Sequence, residues 1–169
     1  VNSAATYSFL YFLFVVLEYL SPEKILEFGM GQTSKLTSQY AAYKNKNAIL
    51  QIVEHDKNWV DFFSKQLPCG ENIKIVHKNL VQFDMNGTKN DKYENLSDIT
   101  ALNKYNLIVV DGPIGAHRMY PRTNVLDLIP EHLADDFVII LDDAERDGEK
   151  NLASLVFRKL EENNIKYIS

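Results

Sequence analysis

The stretch that most constrains this chain is Lys24-Ile-Leu-Glu-Phe-Gly-Met-Gly-Gln-Thr-Ser34, an apolar run that passes through a glycine turn into a polar helix start. Ile25, Leu26 and Phe28 read as a short buried strand. Gly29 and Gly31 then allow backbone angles and a close ligand approach that a Cβ would block. Thr33 and Ser34 can open the following helix by accepting its free N–H groups. A strand ending in a glycine-rich helix start holds nucleotide-like ligands, and a strand of this kind needs parallel neighbours.

The rest of the chain supplies them. Nearly continuous apolar runs at Ala48–Glu54, Asn72–His77, Tyr105–Asp111 and Phe137–Leu141 read as strands covered on both faces. Between them lie segments with helical spacing: Leu36 and Tyr40, then Val60, Phe63 and Leu67, then Asn124–Leu133, and last Leu152, Leu155, Val156 and Leu160. Asn95–Lys104 is predicted as a helix with Leu96, Ile99 and Leu102 inward. Asn79–Asn90 is polar and is read mostly as loop, and Ile165–Ser169 as a sixth strand at the C-terminal end. Strands alternating with helices predict right-handed βαβ units and a mostly parallel sheet between two helical layers, an α/β three-layer, Rossmann-like fold. Ligands of such sheets bind at the carboxyl ends of the strands. Glu27/Gly29, Glu54, Asp111 and Asp142/Asp143 all fall at such ends.

With 169 residues, 46% of them hydrophobic, the chain is read as a single domain over 1–169. A net charge of −5 argues against a standing nucleic-acid surface. The single Cys69 excludes an internal disulfide framework, and no Cys/His cluster suggests zinc, so a cytoplasmic protein is expected. Tyr7–Leu20 is almost wholly apolar, but it is shorter than the roughly 20 residues a bilayer span needs and Glu18 interrupts it. It is read as a helix buried on most sides against the sheet, with a homodimer surface as the other expectation and no stable membrane span. Opening at Val1 without Met suits a piece trimmed from a longer protein.

Two cofactors compete for the glycine loop. Gly29-x-Gly31-x-x-Ser34 nearly fits the dinucleotide fingerprint G-x-G-x-x-G/A, and Glu54 ends the next strand, where a carboxylate can accept both hydroxyls of an NAD ribose. Glu27-Phe-Gly-Met-Gly31 followed by Thr33-Ser34 resembles instead the first motif of class I S-adenosylmethionine (SAM)-dependent methyltransferases. Glu54-His55-Asp56-x-x-Trp59, Val109-Val-Asp-Gly-Pro113 and Ile139-Ile-Leu-Asp-Asp143 extend the likeness, which runs from about Ser3 to Asp143, to the branch that includes O-methyltransferases of sugars and polysaccharides. That resemblance implies strand order 3-2-1-4-5 and a SAM site made by Glu27, Phe28, Gly29, Gly31, Thr33, Ser34, Glu54, His55 and Asp111. Glu27 and the glycines would hold the methionine end and Glu54 the ribose, with Asp111 facing methyl transfer.

Asp111, Asp142 and Asp143 offer hard oxygen ligands that suit Mg²⁺; the competing reading has Asp142-Asp143 capping the next turn. His117, in the loop after Asp111, has the near-neutral reference pKa of a general base. Arg118, Arg122 and Arg146 either hold an anionic acceptor or pair with Asp127, Asp135 or Glu145. The expected activity is methylation of an oxygen on a small or saccharide acceptor. The rivals are an NAD-type oxidoreductase and a non-catalytic binding module on the methyltransferase fold.

Overall fold

The computed structural model describes residues 5–101, 103–115 and 117–169; the inward placement expected of Leu102 falls outside them. The elements follow as α1 (Tyr7–Leu20), β1 (Lys24–Phe28), α2 (Gln32–Gln39, continued by a π-helical turn at Tyr40–Lys44), β2 (Ile49–Glu54), α3 (Lys57–Phe63) and β3 (Ile73–His77). They continue as β4 (Leu80–Met85), β5 (Thr88–Tyr93), the short α4 (Ser97–Thr100), β6 (Tyr105–Val110), a 3-10 segment at Thr123–Leu128, β7 (Leu133–Leu141) and α5 (Asp147–Glu162).

Five parallel strands form one sheet in the order β3-β2-β1-β6-β7, the 3-2-1-4-5 order that the family resemblance implies. Alternate side chains of each strand enter two cores, one per face. Ile25, Leu50, Ile52, Leu107 and Val109 meet Leu13, Leu17, Tyr40 and Phe63 of the α1–α3 layer. Leu26, Phe28, Val53, Ile108 and Val110 meet Leu152, Val156 and Leu160 of α5, together with Tyr93, Ile99 and Val125. A strand buried on both faces has no polar side to display, which is why these runs read as continuous apolar sequence.

Four expectations need correction. The polar stretch after β3 is an antiparallel hairpin, β4–β5, paired from Leu80↔Tyr93 to Met85↔Thr88. Its turn is Asn86-Gly87, both at positive φ, a strong two-residue hairpin signal whose polar flanks disguise it. The helix expected at Asn124–Leu133 is the 3-10 segment, with β7 beginning at Leu133. Residues 165–169 form no strand, and Tyr167 instead stacks on Phe157 of α5 at 5.1 Å. Finally, α1 is not buried on most sides: it buries only Leu13 and Leu17, while Tyr7, Tyr11 and Tyr19 are 92%, 70% and 88% exposed. Among the described residues no helix is long and apolar enough to cross a membrane.

Candidate functional site

Hydrogen bonds running on past the strand ends align the tips of β1, β2 and β6. Gly29 N donates to Val53 O at 2.9 Å, Asp111 N to Phe28 O at 2.9 Å and Asp142 N to Val110 O at 3.1 Å. The glycine loop, Glu54, Asp111 and the Asp142-Asp143 pair therefore lie along one edge, as the sequence positions predict.

Gly29 has φ +89, and a Cβ there would meet the backbone C of Asp111 and N of Gly112 at 2.8 Å. Only glycine permits this crossing of the two loops. Gly31 differs: its backbone is extended, and a Cβ would meet nothing within 4 Å. The loop thus turns open space outward at Gly31, where a ligand can lie against bare backbone.

Glu27 is fully buried, and its carboxylate accepts from the hydroxyls of Thr33 (2.5 Å), Ser34 (2.7 Å) and Thr37 (2.7 Å). Burial raises its pKa, and the three hydroxyls hold it down against that. Ser34 Oγ also accepts from Gly31 N at 3.0 Å, the N-terminal interaction expected of it, whereas Thr33 spends its hydroxyl on Glu27. The side chains of Glu27, Thr33 and Ser34, expected in the cofactor site, are all enclosed and bonded to one another. They shape the loop from behind. Phe28 is likewise a core side chain, stacked on Tyr93 at 5.8 Å, and offers a ligand only its backbone.

Glu54 closes the opposite wall. Its Oε2 accepts from Met30 N at 2.9 Å, and its Oε1 from the backbone N–H groups of His55 (2.7 Å) and Asp56 (2.8 Å). Burial works to raise its pKa, but the close His55 imidazole and the backbone N–H groups of Asp56 and Met30 outweigh it, and the net shift is downward. His55 Nδ1 lies 2.8 Å from Glu54 Oε1, in charge contact but without a directed hydrogen bond. The His55 pKa is raised, chiefly by Glu54 and against partial burial. Trp59, unassigned from sequence beyond its motif, pins the loop by donating Nε1–H to Met30 O at 2.6 Å while its ring is 40% exposed.

Across the crossing, Asp111 is pushed up to about 8, by burial first and then by Asp142 and Glu27, with Arg122 acting against the rise. Carboxylate oxygens of Asp111, Asp142 and Asp143 lie within 4.8 Å of one another. Arg122 stands among them: its Nη2 is 2.9 Å from Asp143 Oδ2 and 3.4 Å from Asp111 Oδ1, and its Nη1 2.9 Å from Asp142 O. The surface partners expected for the arginines are corrected accordingly. Arg122 is buried among these acids, Arg118 pairs with Asp91 of β5, and Arg146 with Asp143 at 2.6 Å. Because a guanidinium already supplies the counter-charge, this donor set does not fit Mg²⁺.

His117 is exposed at φ +68 and borders a cleft of about 450 Å³ between the β4–β5 hairpin, the loop after Asp111 and the start of α5. Lys89, Arg118, Arg146 and Glu149 also line it. The glycine loop does not, so His117 lies in a neighbouring hollow.

No protein-family model matches the chain, and no curated protein matches it by sequence. Solved structures do. The S-adenosylhomocysteine (SAH)-bound methyltransferase PaMTH1 of Podospora anserina superposes with a TM-score of 0.54 at 14% identity, over 95% of this chain and 72% of that one. The chain has the fold of a methyltransferase. The plantazolicin methyltransferase BpumL, solved with a pentazolic desmethylPZN analog and SAH, matches at a TM-score of 0.47 and 13% identity, over 93% of this chain and 62% of that one. On the methyltransferase fold of this chain the three acidic strand tips and the glycine crossing share one edge.

Proposed function

We propose that the protein is a SAM-dependent methyltransferase acting on an oxygen of a small or carbohydrate-like acceptor. The observation that carries the reading is the open backbone at Gly31, facing outward beside a Glu54 carboxylate that already gathers three N–H groups at the end of β2. The residues fit the cofactor: bare glycine backbone for its amino-acid end, and the Glu54 carboxylate for the ribose hydroxyls once Met30 N–H is released. His55 and Asp56 supply backbone beside the base, and the exposed edge of Trp59 supplies an apolar wall.

When bound, SAM supplies an activated sulfonium methyl group. The chain's own work is to hold an acceptor oxygen in line with that group and keep water out, which is worth many orders of magnitude in rate when geometry is fixed. Asp111, with its pKa near 8, holds a proton at neutral pH and can donate a hydrogen bond to an acceptor oxygen at the tip of β6. His117 in the adjoining cleft takes up the proton that an acceptor hydroxyl releases. The exposed aromatic face of α1 is the surface through which two copies would pair.

Calorimetric titration with SAM and SAH tests the reading. Saturable heat with both, and none with NAD, is expected. Heat with NAD alone would put an oxidoreductase in its place, and SAH binding that Asp111→Ala leaves intact, with no turnover on any saccharide acceptor, would leave only a binding module.

A further inference from the structure

The acid cluster at the ends of β6 and β7 has the composition of a divalent-metal site, yet its cation is a side chain. Arg122 is 3% exposed and reaches three separate pieces of chain. Its Nη2 serves Asp143 (2.9 Å) and Asp111 (3.4 Å), and its Nη1 donates to the carbonyl of Asp142 (2.9 Å). Its Nε donates to the carbonyl of Pro113 (3.4 Å), and Glu149 Oε1 lies 3.8 Å from Nη1 without a hydrogen-bond partner of its own. The guanidinium thus joins the loop after β6, the tip of β7 and the first turn of α5.

We infer that Arg122 is the resident cation of this cluster, standing in for a divalent ion, and that the Asp111–Asp142–Asp143 site works without metal. The geometry favours this over a shared occupancy. A Mg²⁺ ion needs near-octahedral oxygen ligands at about 2.0–2.1 Å. Here Asp111 and Asp143 already point an oxygen each at the guanidinium, and Arg146 takes Asp143 as well. Among the described residues only the Asp142 carboxylate of the three is left without a cationic partner, and a single carboxylate holds a divalent ion weakly. An ion placed among the three would also lie a few ångströms from a fixed positive charge, where repulsion is strong. A guanidinium differs from an ion in one useful way: it is planar, cannot exchange, and fixes the relative positions of the strand tips through directed bonds.

The inference reads metal binding and not methyl transfer, so it stands or falls apart from the proposed reaction. Mn²⁺ is the probe, followed by electron paramagnetic resonance on the whole chain. The wild type is expected to show no saturable Mn²⁺ binding. Arg122→Ala should free the three acids and raise Mn²⁺ affinity by at least about tenfold, and Asp143→Asn in that background should abolish the gain. Arg122→Lys keeps the charge and should behave as wild type, which separates the role of the cation from that of the fold. Should alanine not fold, Arg122→Gln removes the charge while still donating to the Asp142 carbonyl. Wild-type Mn²⁺ binding that Asp142→Asn or Asp143→Asn removes would overturn the inference, as would a folded Arg122→Ala or Arg122→Gln protein with no gain. The wild-type titration itself needs no variant to fold: an absent Mn²⁺ signal supports the resident cation, and saturable Mn²⁺ binding that Arg122→Ala or Arg122→Gln does not strengthen counts against it.

Discussion

The two halves of the ligand edge solve the same problem in different ways. In the β1–β2 half, Glu27 and Glu54 are buried carboxylates balanced by hydrogen bonds, three hydroxyls for one and three backbone N–H groups for the other. In the β6–β7 half, Asp143 and Glu149 face the charge of Arg122, with Arg146 helping at Asp143 and with Asp111 set against the same guanidinium. Hydrogen-bond donors supplied by backbone and hydroxyls are local and directional, so they set the shape of a loop. A buried guanidinium acts across several chain segments, so it sets how distant strand tips stand relative to one another. The first half is built to present a surface and the second to hold a constellation together.

Breaking the charge-balanced half should have the largest effect. Removing one partner of a buried ion pair leaves uncompensated charge, and Arg122→Ala is expected to cost about 3–5 kcal/mol in a denaturant unfolding experiment. A loss below about 1 kcal/mol, the scale of a surface pair, would put Arg122 outside the framework. Next comes Gly29→Ala, where a strained positive φ coincides with a backbone clash at 2.8 Å; about 2–4 kcal/mol is expected. Its counterpart Gly31→Ala sharpens the contrast. Stability should change by less than about 1 kcal/mol because the Cβ meets open space, while SAH affinity is expected to fall because the proposed ligand space is filled. Equal effects of the two substitutions on stability would remove the distinction drawn between them.

Glu54→Gln should weaken SAH binding by about tenfold to a hundredfold, the scale of a lost hydrogen bond to a charged group. Calorimetry reads this directly. The remaining prediction is a pH dependence. Asp111 has its carboxyl raised from 3.8 to about 8, so between those values the native state holds a proton that the unfolded chain has released. Stability from this group is therefore present at low pH, falls as pH rises through that window, and levels off above about 8. Glu54, shifted downward, acts with the opposite sign and loses its contribution as pH falls. Asp111→Asn should accordingly lose less stability than the wild type between mildly acidic and mildly alkaline solution.

Much of the hydrogen-bonded half is legible in the sequence because it is local. Glu27, the glycines and the Thr33-Ser34 pair are neighbours along the chain, and parallel strands buried on both faces announce themselves as apolar runs ending in an acid. The enclosure of Glu27, Thr33 and Ser34 is not legible, since only the packing of α2 onto β1 decides whether those side chains face the ligand or one another. The charge-balanced half is opaque for the same reason in stronger form. Arg122 meets Asp143 and Glu149 only after β7 has been laid beside β6, and a basic residue in a loop rich in Arg and Tyr carries no mark of that burial. The β4–β5 hairpin was signalled by Asn86-Gly87, but its strands Leu80–Met85 and Thr88–Tyr93 are too polar to show a buried face beyond Asn90 and Tyr93.

The central claim is that the glycine crossing and the Glu54 carboxylate form one adenosyl site. The most direct measurement is titration of SAH into the wild type alongside Gly31→Ala. Saturable heat is expected in the wild type, with a clear loss of affinity in a variant that unfolds normally. Absence of SAH binding by the wild type, or undiminished binding by Gly31→Ala, would contradict it.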